Sequence, residues 1–208
     1  PTGNFGDVYA GYLAKKMGLP INKFIVATNQ NDILHRAISN GKYEAQKVQE
    51  TISPSMDIQI ASNFERLIYD LNDGDDLATI NSMKDIKEKG KYTINQSKLD
   101  KINLDFLSSK LSEEEIFKTI KSVYEKFDIV LDPHSAIGYG AFDKVNLKGN
   151  NIVLATAHPC KFPDAIKQSI NLKPDLPDEL KFILDEKENY DIVDNDLNKI
   201  KNYIKERI

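Results

Sequence analysis

One cysteine, Cys160, stands in the 208 residues, so no intrachain disulfide can form and the framework of a small secreted domain is excluded. Its expected place is that of a small buried apolar residue. Three histidines, His35, His134 and His158, lack the close spacing of a zinc site, and no metal site is expected. No apolar run approaches the roughly 20 residues that a bilayer-spanning helix needs, and the first residues lack the charged-then-apolar layout of a signal peptide. A cytoplasmic protein with no membrane partner is the expectation. The net charge is −4 with no basic stripe, which argues against nucleic acid, because neutralising a phosphate backbone takes clustered Lys and Arg. Two nucleotide signatures are missing as well. No Gly-Lys-Ser/Thr follows the glycine-rich turn near residue 1, and that turn lacks three glycines at dinucleotide spacing.

What is present is ordinary globular material. Apolar residues make up 40% and charged residues 29%, as in soluble domains rather than disordered or fibrous chains. The length suits one sizeable core, or a large domain with a small insertion. The chain opens on Pro1 with a glycine motif directly behind it, without an initiator methionine or a preceding strand, and reads as a fragment.

Apolar residues at Val8, Tyr9, Tyr12 and Leu13, lysines at 15 and 16 and Gly18 just beyond predict a helix from Asp7 to Met17. Phe24 to Thr28 (FIVAT) is a short β-branched run, and Asp32 to Ser39 has helical spacing. Helices alternating with short apolar runs predict an α/β fold with a parallel-type sheet flanked by helices. From about residue 51 to residue 111 the pattern weakens and reads as a helical insertion. Ser62 with Glu65 three residues on predicts a capping box opening a helix through Leu71. Ser112 with Glu115 predicts a second, with Ile116, Ile120, Val123 and Phe127 on one face. Apolar runs at 129–131 and Asn151–Thr156 predict two more strands around a helix, a crossover arrangement. Beyond them lie short proline-started helices and a terminal amphipathic helix bearing Leu197, Ile200, Ile204 and Ile208 on one face.

The residues that could carry chemistry begin with Thr2-Gly3-Asn4-Phe5-Gly6-Asp7, immediately before a helix. Glycines let a backbone approach a ligand, and the free amides of a first helical turn suit a phosphate. From the residues alone, a plain tight turn and an anion cradle both remain open. Asn4 could add a side-chain donor, whereas Asp7 would repel an anion if it faced the loop. Thr156, at the end of an expected strand, falls where α/β sheets place ligand contacts. His134 follows Asp132-Pro133, where Ser135 could cap the next helix and capping competes with catalysis. His158 and Lys161 lie close to Thr156, while His35 reads as structural. Arg66 could bind phosphate or pair with a carboxylate.

PTGNFGD with the helix behind it resembles the phosphate-binding loop of the threonine synthases, enzymes of pyridoxal 5′-phosphate (PLP). Three further segments resemble that family in the same order: SPSMDIQIASNFERL at 53–67, LDPHSAIG at 131–138 and LATAHPCKF at 154–162. The resemblance implies part of the large domain of a PLP enzyme of fold type II, a carbon–oxygen lyase. It also implies conversion of O-phospho-L-homoserine and water into L-threonine and phosphate. It places Gly3, Asn4, Phe5, Gly6 and Asp7 on the loop holding the PLP phosphate, and Thr156 where a hydroxyl meets the pyridine nitrogen. A neutral hydroxyl there tunes the cofactor's electron-sink strength without holding the nitrogen protonated.

The family's Schiff-base lysine belongs to a segment before the glycine loop, upstream of Pro1, so no catalytic residue is expected in this chain and the chain alone is expected to be inactive. Lys15 and Lys16 sit more than ~10 Å along the helix from the loop. Two alternatives stay open: another fold-type-II PLP lyase or dehydratase, and a non-enzymatic anion-binding domain.

Overall fold

The computed structural model describes all of residues 1–208. In chain order the elements are α1 (Gly6–Lys16), β1 (Phe24–Thr28), α2 (Ile33–Asn40), β2 (Lys42–Glu44), α3 (Phe64–Leu71), α4 (Asp76–Lys89), β3 (Lys91–Thr93), α5 (Gln96–Asp105), β4 (Phe106–Lys110), α6 (Glu113–Phe127), α7 (Pro133–Val145), α8 (Pro163–Ile170) and α9 (Leu197–Lys205). Two compact units divide the chain, Pro1–Pro174 and Asp175–Ile208. No helix is long and apolar enough to cross a membrane.

The first unit is built around β1 and β4, which pair in parallel with Phe24 opposite Phe106 and Thr28 opposite Lys110. Successive strand side chains point to opposite faces. Val26 therefore joins one apolar cluster, with Ile33, Leu34, Phe64, Leu67, Ile102 and Phe106. Its neighbour Ala27 joins another, with Leu111, Ile116, Ile120, Ile137 and Ile166. Helices thus cover both faces of the parallel pair, as the α/β reading expects. A separate antiparallel pair, β2 with β3, bridges Lys42–Glu44 to Lys91–Thr93.

Helix α6 shows how local sequence fixes an element. The Ser112 hydroxyl accepts from the Glu115 amide at 3.3 Å, and the Glu115 carboxylate accepts from the Ser112 amide at 2.8 Å, a complete capping box. Ile116, Ile120 and Val123 then bury one face. The short helices after Pro159 and Pro163 also start where expected, because proline at the first helical position loses no intrahelical bond. In the second unit a 3₁₀ helix, Asp178–Leu184, follows Pro177, and α9 is capped by the Asp196 carboxylate.

Several expectations need correction. The runs at 129–131 and Asn151–Thr156 form no strand. A strand needs a hydrogen-bonding neighbour, and neither run finds one within these residues; Ile152 is 90% exposed. The stretch 51–111 supplies α3 to α5 together with β3 and β4, and β4 is half of the central pair. The Ser62 capping box does not form. Helix α3 begins at Phe64, so Asn63 takes the cap position, Ser62 stands one residue outside it and Glu65 falls one position short of a box; the Asn63 amide donates to the Asn4 carbonyl at 3.0 Å. Cys160 is half-buried in a 3₁₀ turn rather than inside the core.

These two outcomes are separable by mutation. Ser112→Ala should cost about 1 kcal/mol, the usual worth of such a cap. Ser62→Ala should stay within about 0.5 kcal/mol. Urea unfolding of the two variants measures both, and equal losses would contradict the assignment of the caps.

Candidate functional site

The loop before α1 is held by three anchors. The Thr2 amide donates to the Ala27 carbonyl of β1 at 3.0 Å, which lays the first residues beside that strand's end. The Thr2 hydroxyl donates to Asp7 Oδ1 at 2.6 Å and accepts from the Phe5 amide at 3.1 Å. Phe5 itself adopts a left-handed backbone, φ 68°, uncommon for a residue with a side chain. Its ring is fully buried, edge-on to Phe64 at 5.1 Å and 5.9 Å from Phe106.

This arrangement divides the loop's amides. Those of Phe5 and Gly6 are used internally, the second by Asn4 Oδ1 at 2.8 Å. Those of Gly3, Asn4 and Asp7 have no protein acceptor. Gly3 and Asn4 face the segment 53–57, and a Cβ on Gly3 would stand 2.8 Å from the Ser55 carbonyl oxygen, so only glycine fits this approach. That segment is fixed in turn by the Asp57 carboxylate, whose Oδ1 accepts from Asn29 at 2.8 Å, Asn31 at 2.9 Å and the Thr51 hydroxyl at 2.7 Å.

Opposite the loop lies the start of α7. Asp132, not Ser135, is its cap: the carboxylate accepts from the His134 and Ser135 amides at 2.9 and 3.1 Å. Ser135 Oγ is thereby left to accept from the Thr156 amide at 3.1 Å, which clips 154–162 onto the helix. Burial pushes the Asp132 carboxyl up, but hydrogen bonds from His134 and Ser135 outweigh it and hold the pKa below the ordinary 3.8.

The two sides enclose a cleft of about 270 Å³ lined by Gly3, Asn4, Asp7, His134, Thr156 and Lys161, among others. Of the residues singled out in the sequence, Gly3, Asn4, Asp7, His134, Thr156 and Lys161 come together there. Phe5 and Gly6 do not line it, the first because its ring is spent on the core. Thr156 sits at the cleft without the strand expected to carry it, and its hydroxyl has no protein partner. Asp7 also faces the cleft, with its charge partly met by the Thr2 hydroxyl.

Among the other candidates, His35 is half-buried with Nδ1 2.9 Å from Ser108 Oγ, and burial pushes its pKa below the imidazole norm. His158 caps a 3₁₀ turn by accepting from the Cys160 amide. Arg66 makes no ion pair and lines a larger, open groove of about 680 Å³ with Tyr9, Leu13 and Tyr69. That groove also carries Glu65, Asp76 and Thr79 but no amide of the glycine loop, whereas the smaller cleft brings the loop and Thr156 together.

A glycine loop and a capped helix end face each other across a cleft at the edge of a parallel pair, in an α/β protein. A family model described as "Threonine synthase, C-terminal" matches residues 135–204. The threonine synthase of Pseudomonas aeruginosa is 40% identical over 98% of this chain and 44% of its own length, and that of Saccharomyces cerevisiae is 41% identical over all of this chain and 46% of its own. A crystal structure of PLP-bound threonine synthase from Brucella melitensis superposes with a TM-score of 0.90 at 44% identity, over 99% of this chain and 45% of that one. The chain belongs to the threonine synthase family, matching its C-terminal part, and spans about half the length of the relatives it matches.

The lowered pKa of Asp132 has a consequence for stability. A carboxylate favoured by folding contributes fully above its ordinary value of 3.8, and the contribution fades as pH falls through the lower folded value. Asp132→Asn should therefore cost about 1–3 kcal/mol at pH 7. The gap to the parent should narrow once the pH drops below 3.8. Urea midpoints across that range provide the check, and a gap that stays constant would contradict the account.

Proposed function

We propose that this chain supplies the phosphate-binding side of a PLP site in a threonine synthase, which in the whole protein turns O-phospho-L-homoserine and water into L-threonine and phosphate. The observation that carries the reading is the set of open amides at Gly3, Asn4 and Asp7, sharing one cleft with the free hydroxyl of Thr156. These groups fit PLP: amides at a helix start suit its phosphate, and a neutral hydroxyl suits its ring nitrogen. When bound, PLP supplies the electron sink for breaking bonds beside the substrate's amino group. The protein's part is to orient that ring and to hold the phosphate by hydrogen bonds, with Asn4 Nδ2 available as a further donor and the Asp7 carboxylate engaged by the Thr2 hydroxyl. Lys161, exposed at the same cleft, offers a cation to an anionic substrate.

The lysine that would bond to PLP is assigned to a part of the protein outside residues 1–208. Lys15 is paired with Asp105 at 2.6 Å and Lys16 with Asp70 at 3.3 Å, and Lys161 is the single lysine lining the cleft. The reading is tested on the intact protein, loaded with PLP and assayed for phosphate release from O-phospho-L-homoserine. Borohydride reduction and peptide mapping then locate the modified lysine. Release of phosphate with a label outside residues 1–208 is expected. Gly3→Ala should weaken PLP binding at least tenfold, equivalent to about 1.4 kcal/mol. A label on Lys161, or no phosphate release, would contradict the assignment.

A further inference from the structure

His134 is a buried polar side chain of the cleft, fixed through one of its ring nitrogens. It is 4% exposed, and its Nδ1 lies 2.8 Å from Asp132 Oδ2. Asp132 is 1% exposed and is fixed by two backbone amides besides. An ionised carboxylate can only accept, so the proton of a neutral ring sits on Nδ1 and Nε2 presents a lone pair. That Nε2 is buried and has no hydrogen-bond partner in the protein. The Phe162 ring lies against the imidazole, centroids 4.8 Å apart, and both residues line the cleft. A buried acceptor left unpaired is costly and calls for an explanation; a donor belonging to the cleft's occupant provides one.

We propose that His134 is a catalytic residue of this cleft, with Asp132 as its positioning residue: Nε2 accepts the hydrogen bond, and then the proton, of a water or hydroxyl O–H held there. The inference rests on the threonine synthase reading, in which water is a reactant. In the step the O–H bond breaks, its electron pair stays on oxygen, and the proton forms an Nε2–H bond. The imidazolium charge so created is offset by the Asp132 carboxylate at 2.8 Å. The proton returns to the product when the site resets. The other charged side chains lining the cleft are Asp7, bound by the Thr2 hydroxyl, and Lys161.

The first test needs no variant. In the intact protein with nitrogen-15-labelled histidine, the His134 ring should carry its proton on Nδ1. Its Nε2 signal should move when PLP and O-phospho-L-homoserine are added, while Nδ1 stays put. A proton resident on Nε2, or an Nε2 signal indifferent to those ligands, overturns the proposal. The second test is kinetic. His134→Gln should lower kcat by about a hundredfold or more, the range of a lost general acid–base group, with PLP affinity within about threefold of the parent. Asp132→Asn should lower kcat and also shift the ring's proton away from Nδ1, which a merely structural role would not do. A His134→Gln protein that keeps kcat within about threefold sinks the role of His134 and leaves the threonine synthase reading standing. A parent protein that releases no phosphate sinks both. Should His134→Gln fail to fold, the parent spectrum decides.

Discussion

The buried ring of Phe5 is the constraint from which the site follows. Its left-handed backbone costs on the order of 1–3 kcal/mol, and burying an aromatic side chain between Phe64 and Phe106 returns a comparable 1.5–3 kcal/mol. The loop's shape is therefore stable because the core has closed around it. With Phe5 fixed, its amide turns to Thr2, Gly6 turns to Asn4, and the amides of Gly3, Asn4 and Asp7 are left open. The open donors are a by-product of where the ring goes.

The opposite wall depends on one helix terminus. Asp132 caps α7, orients His134 and frees Ser135 to hold Thr156, so three consecutive constraints issue from a single carboxylate. This explains how Thr156 reaches the cleft although the run before it forms no strand. A hydrogen bond from a neighbouring helix does what sheet pairing was expected to do. The segment 53–57, pinned by Asp57 and Asn29, forms the floor against which only a glycine at position 3 can lie.

Much of the fold was legible where the determinants are local. The ends of β1, the Ser112–Glu115 capping box and the proline-started helices all rest on interactions within a few residues. Strand β4 was not, because FLSSK carries little β pattern and is defined by pairing with β1 far away in sequence. Ser62 misled because the helix starts one residue later than its spacing required, with Asn63 at the cap position and docked on Asn4. In the cleft, Gly3, Asn4, Asp7 and Thr156 could be named from motif and family resemblance. Phe5 carried the same motif, but a motif does not reveal that its ring belongs to the core. The unpartnered Nε2 of His134 had no sequence signal, since it depends on which of Asp132, Ser135 and His134 takes the cap, a choice made only in three dimensions.

The central claim is that the loop, through its open amides, receives the phosphate of PLP. A crystal structure of the intact protein grown with PLP tests it most directly. The account predicts the phosphate against the amides of Gly3, Asn4 and Asp7, with the pyridine ring reaching toward Thr156. A phosphate seated instead in the open groove beside Arg66, with the amides of the loop bound only to solvent, would contradict it.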